Sequence, residues 1–167
     1  MSQRTLFPLA GAMVAVLILG AASLATAKTP NVLEFDTMVG VPAAFTGAQN
    51  PIRGINGGGI PWTLTSGRGE LTTTGHLEIE VTGLVLAAGT NAGNNPSAVF
   101  RGLVSCLAAD ASVVNILTDA FPATTGPASA GGGNSKIETD VALPSTCIAP
   151  LVFVTSNGGS WFASTGR

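Results

Sequence analysis

The stretch His76-Leu77-Glu78-Ile79-Glu80-Val81-Thr82 decides the fold class. Leu77, Ile79 and Val81 point one way along an extended chain, and Glu78, Glu80 and Thr82 point the other. Strict alternation of this kind is the pattern of a half-buried strand. Lys136-Ile137-Glu138-Thr139-Asp140-Val141 repeats it, again with charges on the outer side. Upstream, Trp62-Thr63-Leu64-Thr65 and Glu70-Leu71-Thr72-Thr73 flank Ser66-Gly67-Arg68-Gly69, which reads as a bulge or tight bend. Thr73-Thr74-Gly75 then turns the chain back, so residues 60–86 read as a meander.

Working outward, the same signals recur. Val32 to Met38, Ala98 to Leu107, Ser112 to Leu117, Leu151 to Thr155 and Ser160 to Ser164 are rich in Val, Ile, Thr and Phe, side chains that suit a pleated surface. Asn157-Gly158-Gly159 separates the last two as a hairpin turn. No ten-residue segment after residue 27 has a helical period. The reading is an all-β chain, an antiparallel β-sandwich of eight or nine strands. Its expected core includes Leu64, Leu77, Ile79, Val81, Val104, Ile137, Val141, Val152 and Val154. Three Gly-, Asn- and Pro-rich loops interrupt the strands: Thr46 to Gly59, Ala88 to Ser97 and Pro122 to Ser135.

The chain of 167 residues divides into a leader and one domain. Arg4 supplies a positive start, Met13 to Leu19 an apolar centre, and Ala25-Thr26-Ala27 small residues where signal peptidase acts. Residues 1–27 therefore read as a signal peptide, with residues 28–167 a single secreted domain. An uncleaved anchor over Leu6 to Ala27 is the competing reading, since roughly 20 apolar residues span a bilayer. After cleavage no stable membrane span is expected. In an oxidising compartment the only two cysteines, Cys106 and Cys147, are expected to pair. That bond would tie a strand to the connector before the penultimate strand.

Composition bounds the function. Charged residues make up 10% of the chain, against about 25% in ordinary domains, so solubility rests on hydroxyls, amides and backbone. Lys28, Arg53, Arg68, Arg101, Lys136 and Arg167 face nine acidic residues, a formal charge of −3 for residues 28–167. These cations are scattered singly, whereas nucleic acids and anionic membranes select clustered ones. No nucleic-acid partner is expected.

His76 is the single histidine, and it follows a turn, where an exposed polar residue is ordinary. One histidine and a paired disulfide cannot supply a zinc or copper site. Asp110 and Asp119 bracket a strand without the dense oxygen ligands that calcium takes. The Gly-rich loops lack the Lys-Ser/Thr ending of a phosphate loop. Trp62 and Trp161 read as packing residues rather than sugar platforms. Carboxylates remain. Glu78 and Glu80 lie about 7 Å apart along one strand face, and Glu34 and Asp36 share that spacing. A glycosidase pair needs roughly 5 to 9.5 Å.

Gly69-Glu70-Leu71, Gly75-His76-Leu77 and Val81-Thr82-Gly83-Leu84 form a strand-turn-strand that resembles the CHRD domain, a secreted β module first noted in chordin. Leu151 to Gly159 is similar to that family's closing strand and Gly-Gly turn. The family's histidines after the G-L step and near the closing strand are absent, and Thr155 stands at the latter position. The resemblance implies a secreted β scaffold and carries no histidine chemistry over. The chain also resembles small exported bacterial proteins with no assigned activity.

The expected function is a non-catalytic extracellular binding or structural module, with no cofactor and an extracellular protein or glycan as partner. The long loops are its natural recognition sites. The alternative is a small secreted hydrolase using Glu34, Asp36, Glu78 or Glu80. A pocket joining two of these with raised pKa values favours the enzyme; an open, solvated sheet favours the module. Self-assembly through sheet edges is a third possibility.

Overall fold

The computed structural model describes residues 28–165. The leader expected over residues 1–27 lies outside the described residues.

Thirteen strands form in chain order: β1 Asn31–Phe35, β2 Met38–Gly40, β3 Trp62–Thr63, β4 Ser66–Thr72, β5 His76–Thr82, β6 Val85–Leu86, β7 Asn94–Asn95, β8 Val99–Leu107, β9 Val113–Pro122, β10 Gly126–Pro127, β11 Ser135–Asp140, β12 Ile148–Thr155 and β13 Trp161–Thr165. Nine build two antiparallel sheets packed as a sandwich, a four-stranded one ordered β1-β4-β5-β11 and a five-stranded one ordered β2-β13-β12-β8-β9. The pairs β3-β6 and β7-β10 make two small ribbons.

The alternation in β5 does what it promised. Leu77, Ile79 and Val81 are buried between the sheets, while Glu78 and Glu80 stay half-buried on the outer face. From the other side Val104, Val152 and Val154 meet them, and Ile137 and Val141 close the margin. Of the expected core, only Leu64 is partly exposed, packed against the cluster's rim. Each fully buried aliphatic side chain of this kind contributes about 1.5–3 kcal/mol relative to exposure.

Three local expectations are corrected. Ser66-Gly67-Arg68-Gly69 is not a bend but the first half of β4, paired in register with β5. A Cβ at Gly69 would collide with the Glu78 carbonyl, so this glycine marks close backbone approach rather than a turn. The Val32 to Met38 run is split: β1 joins one sheet and β2 the other, with Asp36 and Thr37 crossing between them. The strand expected over Ser112 to Leu117 continues to Pro122 past a bulge, where its register with β8 shifts between Arg101 and Leu103. The turn at Gly75 is as expected; its φ of 93° is open to glycine, and its carbonyl accepts from the Val141 amide at 2.9 Å.

The disulfide joins Cys106 of β8 to Cys147, the residue before β12. Between the two cysteines the chain makes β9 in one sheet and β11 in the other, so the bond closes a loop that serves both layers. Such a bond belongs to an oxidising, extracytoplasmic environment. No helix among the described residues is long and apolar enough to cross a membrane.

Candidate functional site

Strand register gathers the carboxylates. Glu34 lies opposite Glu70, Glu70 opposite Glu78, and Glu78 opposite Glu138. Four glutamates therefore form one row across all four strands of the smaller sheet, on its outer face. Neighbouring members sit about 4.5–5.5 Å apart at Cβ, where like charges destabilise a sheet. Arg68, Glu80 and Lys136 form the next row, and His76 and Asp140 are partners on the far side.

Cations and amides offset the repulsion. Lys28 Nζ lies 3.0 Å from Glu70 Oε2. Asn31 donates to Glu70 at 3.0 Å and to Glu34 at 3.3 Å. Lys136 bridges Glu78 at 3.2 Å and Glu138 at 2.7 Å. Arg68 donates through Nε and Nη2 to one oxygen of Glu80. The hydrogen bonds from Lys28 and then Asn31 hold the Glu70 carboxyl below the usual carboxylate range. Lys136 does the same for Glu138. The partner cations move the other way: Lys28, Arg68 and Lys136 are raised by the carboxylates they bond. Glu34 and Asp36 have no ion-pair partner among the described residues.

The sequence-derived candidates meet here. Glu34, Asp36, Glu78 and Glu80 all line one shallow, open depression of about 650 Å³, with Arg68, Glu70, Phe35 and Gly69 completing it. Glu70 and Glu138, the other half of the glutamate row, were not singled out by sequence. Their signal was present in Glu70-Leu71 and Ile137-Glu138-Thr139, but which strands lie side by side is not a local property. Seven of the nine acidic residues belong to this sheet or its margin; only Asp110 and Asp119 lie elsewhere.

His76, half-exposed, places Nδ1 3.1 Å from Asp140 Oδ1. Asp110 shapes the β8–β9 hairpin by accepting from the Ser112 amide at 2.9 Å; the Ser112 hydroxyl, and then this amide, hold its carboxyl below the usual range. Asp119 sits at the β9 bulge, on the strand that Asp110 precedes. Among the described residues no group of three His, Cys, Asp or Glu side chains is placed to hold a metal ion.

Both tryptophans are packing residues. Trp62 is 6% exposed and stacks on Phe162 with ring centres 3.9 Å apart. Trp161 is 2% exposed, between Phe45 and Phe153.

The three long loops are fastened down. Residues 46–59 fold over the outer face of the larger sheet. Arg53 donates to the Ser105 carbonyl at 2.8 Å and the Ala149 carbonyl at 2.7 Å, and its own carbonyl accepts from Asn115 at 3.1 Å. Gly58 and Asn56 bond the Trp161 backbone. The other two loops pair with each other through β7 and β10. Asn95, 1% exposed, bonds Ser97 twice and the Thr124 carbonyl once. The loops thus spend part of their polar capacity inside the fold. The chain matches no protein-family model, no curated protein and no solved structure.

Proposed function

We propose that this is a secreted, non-catalytic recognition or structural module that presents the acidic face of its smaller sheet to a basic extracellular partner. One observation carries the reading: the carboxylates lie in a row on an open strand face, with surface cations bonded to Glu70, Glu78 and Glu138 rather than a cleft enclosing them. An acidic, solvated surface attracts cationic groups over a Debye length and sets orientation on contact. Protein segments rich in Lys or Arg and amino-bearing glycans are the two partner chemistries that fit. Neutral sugars fit less well, because both tryptophans are buried in packing. The resemblance to the CHRD domain adds a secreted β scaffold to this reading and no chemistry.

The hydrolase alternative draws on the same depression, which does assemble Glu34, Asp36, Glu78 and Glu80. A general acid working near neutral pH needs a carboxyl with a raised pKa. Glu78 and Glu80 instead stand on an open face, with 37% and 41% of their side chains exposed.

Thermal unfolding of the exported protein against oligolysine, chitosan oligosaccharides and neutral cell-wall fragments tests the proposal. A cationic probe at a hundredfold excess over its dissociation constant adds about 2.7 kcal/mol of stability. The shift should vanish in the Glu34→Gln/Glu78→Gln variant. A neutral glycan that shifts the wild type and this variant equally, or is hydrolysed by the wild type alone, overturns it.

A further inference from the structure

The two sheets have four edges, and three are protected. β11 carries Lys136, Glu138 and Asp140 along its length. β1 carries Glu34 and a register shift. β2 is three residues long. These are the usual guards against edge-to-edge pairing. The fourth edge, β9, has none of them over its first six residues, Val113-Val114-Asn115-Ile116-Leu117-Thr118. Val113 is 45% exposed and Leu117 37%.

The backbone of this edge is also free. The hairpin bond from the Ala108 amide to the Ser112 carbonyl fixes the alternation. Val114 and Ile116 turn their N–H and C=O groups toward β8, and Val113, Asn115 and Leu117 turn theirs outward. Those outward groups have no hydrogen-bond partner among the described residues. Past Thr118 the strand bulges, and Ser135 bonds the Pro122 carbonyl at 2.8 Å, so the free stretch is short and bounded.

We propose that β9 pairs antiparallel with β9 of a second copy about a twofold axis at Asn115. In this register Val113 faces Leu117 of the partner subunit, Val114 faces Ile116 of the partner subunit, and Asn115 faces its own counterpart. Each outward residue meets another outward residue, so every free backbone group of the stretch is bonded. Asp119 falls opposite Ala111, and no like charges meet. Sliding the register by two residues one way sets Val113 against Asp119, and the other way sets Leu117 against Ala111; both lose an apolar pair. Charge distribution agrees: each copy is net negative, but the acidic row lies on the other sheet, away from the contact. The joined sheet has ten strands and ends on both sides in the three-residue β2, so growth stops at two copies. The inference is independent of what the acidic face binds.

A contact made by one strand edge is at the small end of specific interfaces, below about 1,200 Å², where association is weak and concentration-dependent. The test is the mass of the full chain, exported through an oxidising compartment and measured by sedimentation equilibrium from micromolar to several hundred micromolar. The wild type should pass from one to two copies and no further. Asn115→Pro removes an outward amide that β8 does not use and should leave a single copy at every concentration. Leu117→Lys, which keeps every backbone bond, should raise the dissociation constant at least tenfold and carries the test if the proline variant fails to fold. Val39→Lys, on the β2 edge, should change nothing. A single-copy wild type, a dimer that survives Leu117→Lys, a dimer lost equally in Val39→Lys, or open-ended polymers would each overturn the proposal.

Discussion

Breaking the Cys106–Cys147 bond is the perturbation whose size follows most directly from the topology. The bond spans 41 residues. In the chain-entropy account a loop of that length restricts the unfolded state by on the order of 4 kcal/mol. The native cost of losing it is small, because Leu107 and Ile148, the neighbours of the two cysteines, remain partners in the β8–β12 ladder. The effect therefore belongs to the unfolded chain. A domain of this size unfolds with an entropy near 2.1 cal/mol/K per residue, so 4 kcal/mol corresponds to a fall of about 14 °C in the midpoint. Small domains hold only about 5–15 kcal/mol in total, so the reduced protein sits close to its threshold at 37 °C. The assay compares oxidised protein with protein reduced in denaturant and refolded under reductant, thiols being counted in each. Chemical denaturation should also show a larger m-value for the reduced form, whose unfolded chain is more expanded. Midpoints within 3 °C of one another, with the thiol count proving complete reduction, would refute the loop-closure reasoning. Two free thiols in the folded, exported protein would refute the bond itself.

Two further outcomes follow from the ionic face and the anchored loop. Glu70 and Glu138 have lowered pKa values, so their contribution is present above 4.5, their ordinary value, and is lost as pH falls through the folded values. Lys28 and Lys136 are raised, so theirs is present below 10.5 and lost as pH rises through the folded values. The melting midpoint should thus be flat between these limits, fall on both sides, and flatten further in molar salt, since exposed pairs are screened. An acid limb that is steeper in high salt would contradict this. Arg53→Ala removes two hydrogen bonds from a guanidinium to backbone carbonyls, and charged donors are worth about 1.5–3 kcal/mol each. We expect a loss toward the lower end of that range for the pair, and protease cleavage within residues 46–59 while the sandwich stays folded. Cleavage no faster than in the wild type would show that the loop is held by its other bonds.

The fold was legible where burial is one-sided. In β5 and β11 every second residue faces water, and alternation announces both the strand and the face. It was less legible in the larger sheet. β8 reads as nearly continuous apolar sequence because Leu103 and Ser105 are covered on the outer side while Phe100 and Val104 are covered on the inner. The cover is residues 46–59, whose Gly and Asn content declares a loop but not where it lands. The same limit explains Gly67 and Gly69: glycine between two strand-like runs reads as a turn, yet Gly69 is required by the approach of the Glu78 carbonyl from β5.

The candidate site divides along the same line. Pairs spaced two apart, Glu34 with Asp36 and Glu78 with Glu80, are visible in the linear chain because strand rise fixes their separation. The row Glu34–Glu70–Glu78–Glu138 is not, because it depends on three registers between segments whose paired glutamates lie up to 60 residues apart. Register also decides what the row can do. Had the β4–β5 pairing slipped by two residues, Arg68 would face Glu78 and the row would be broken by a cation. As built, the repulsion is met by Lys28 at Glu70 and by Lys136 at Glu78 and Glu138. Glu34 and Asp36 at the β1 end have no such cation, and that end is where a basic partner has most to gain.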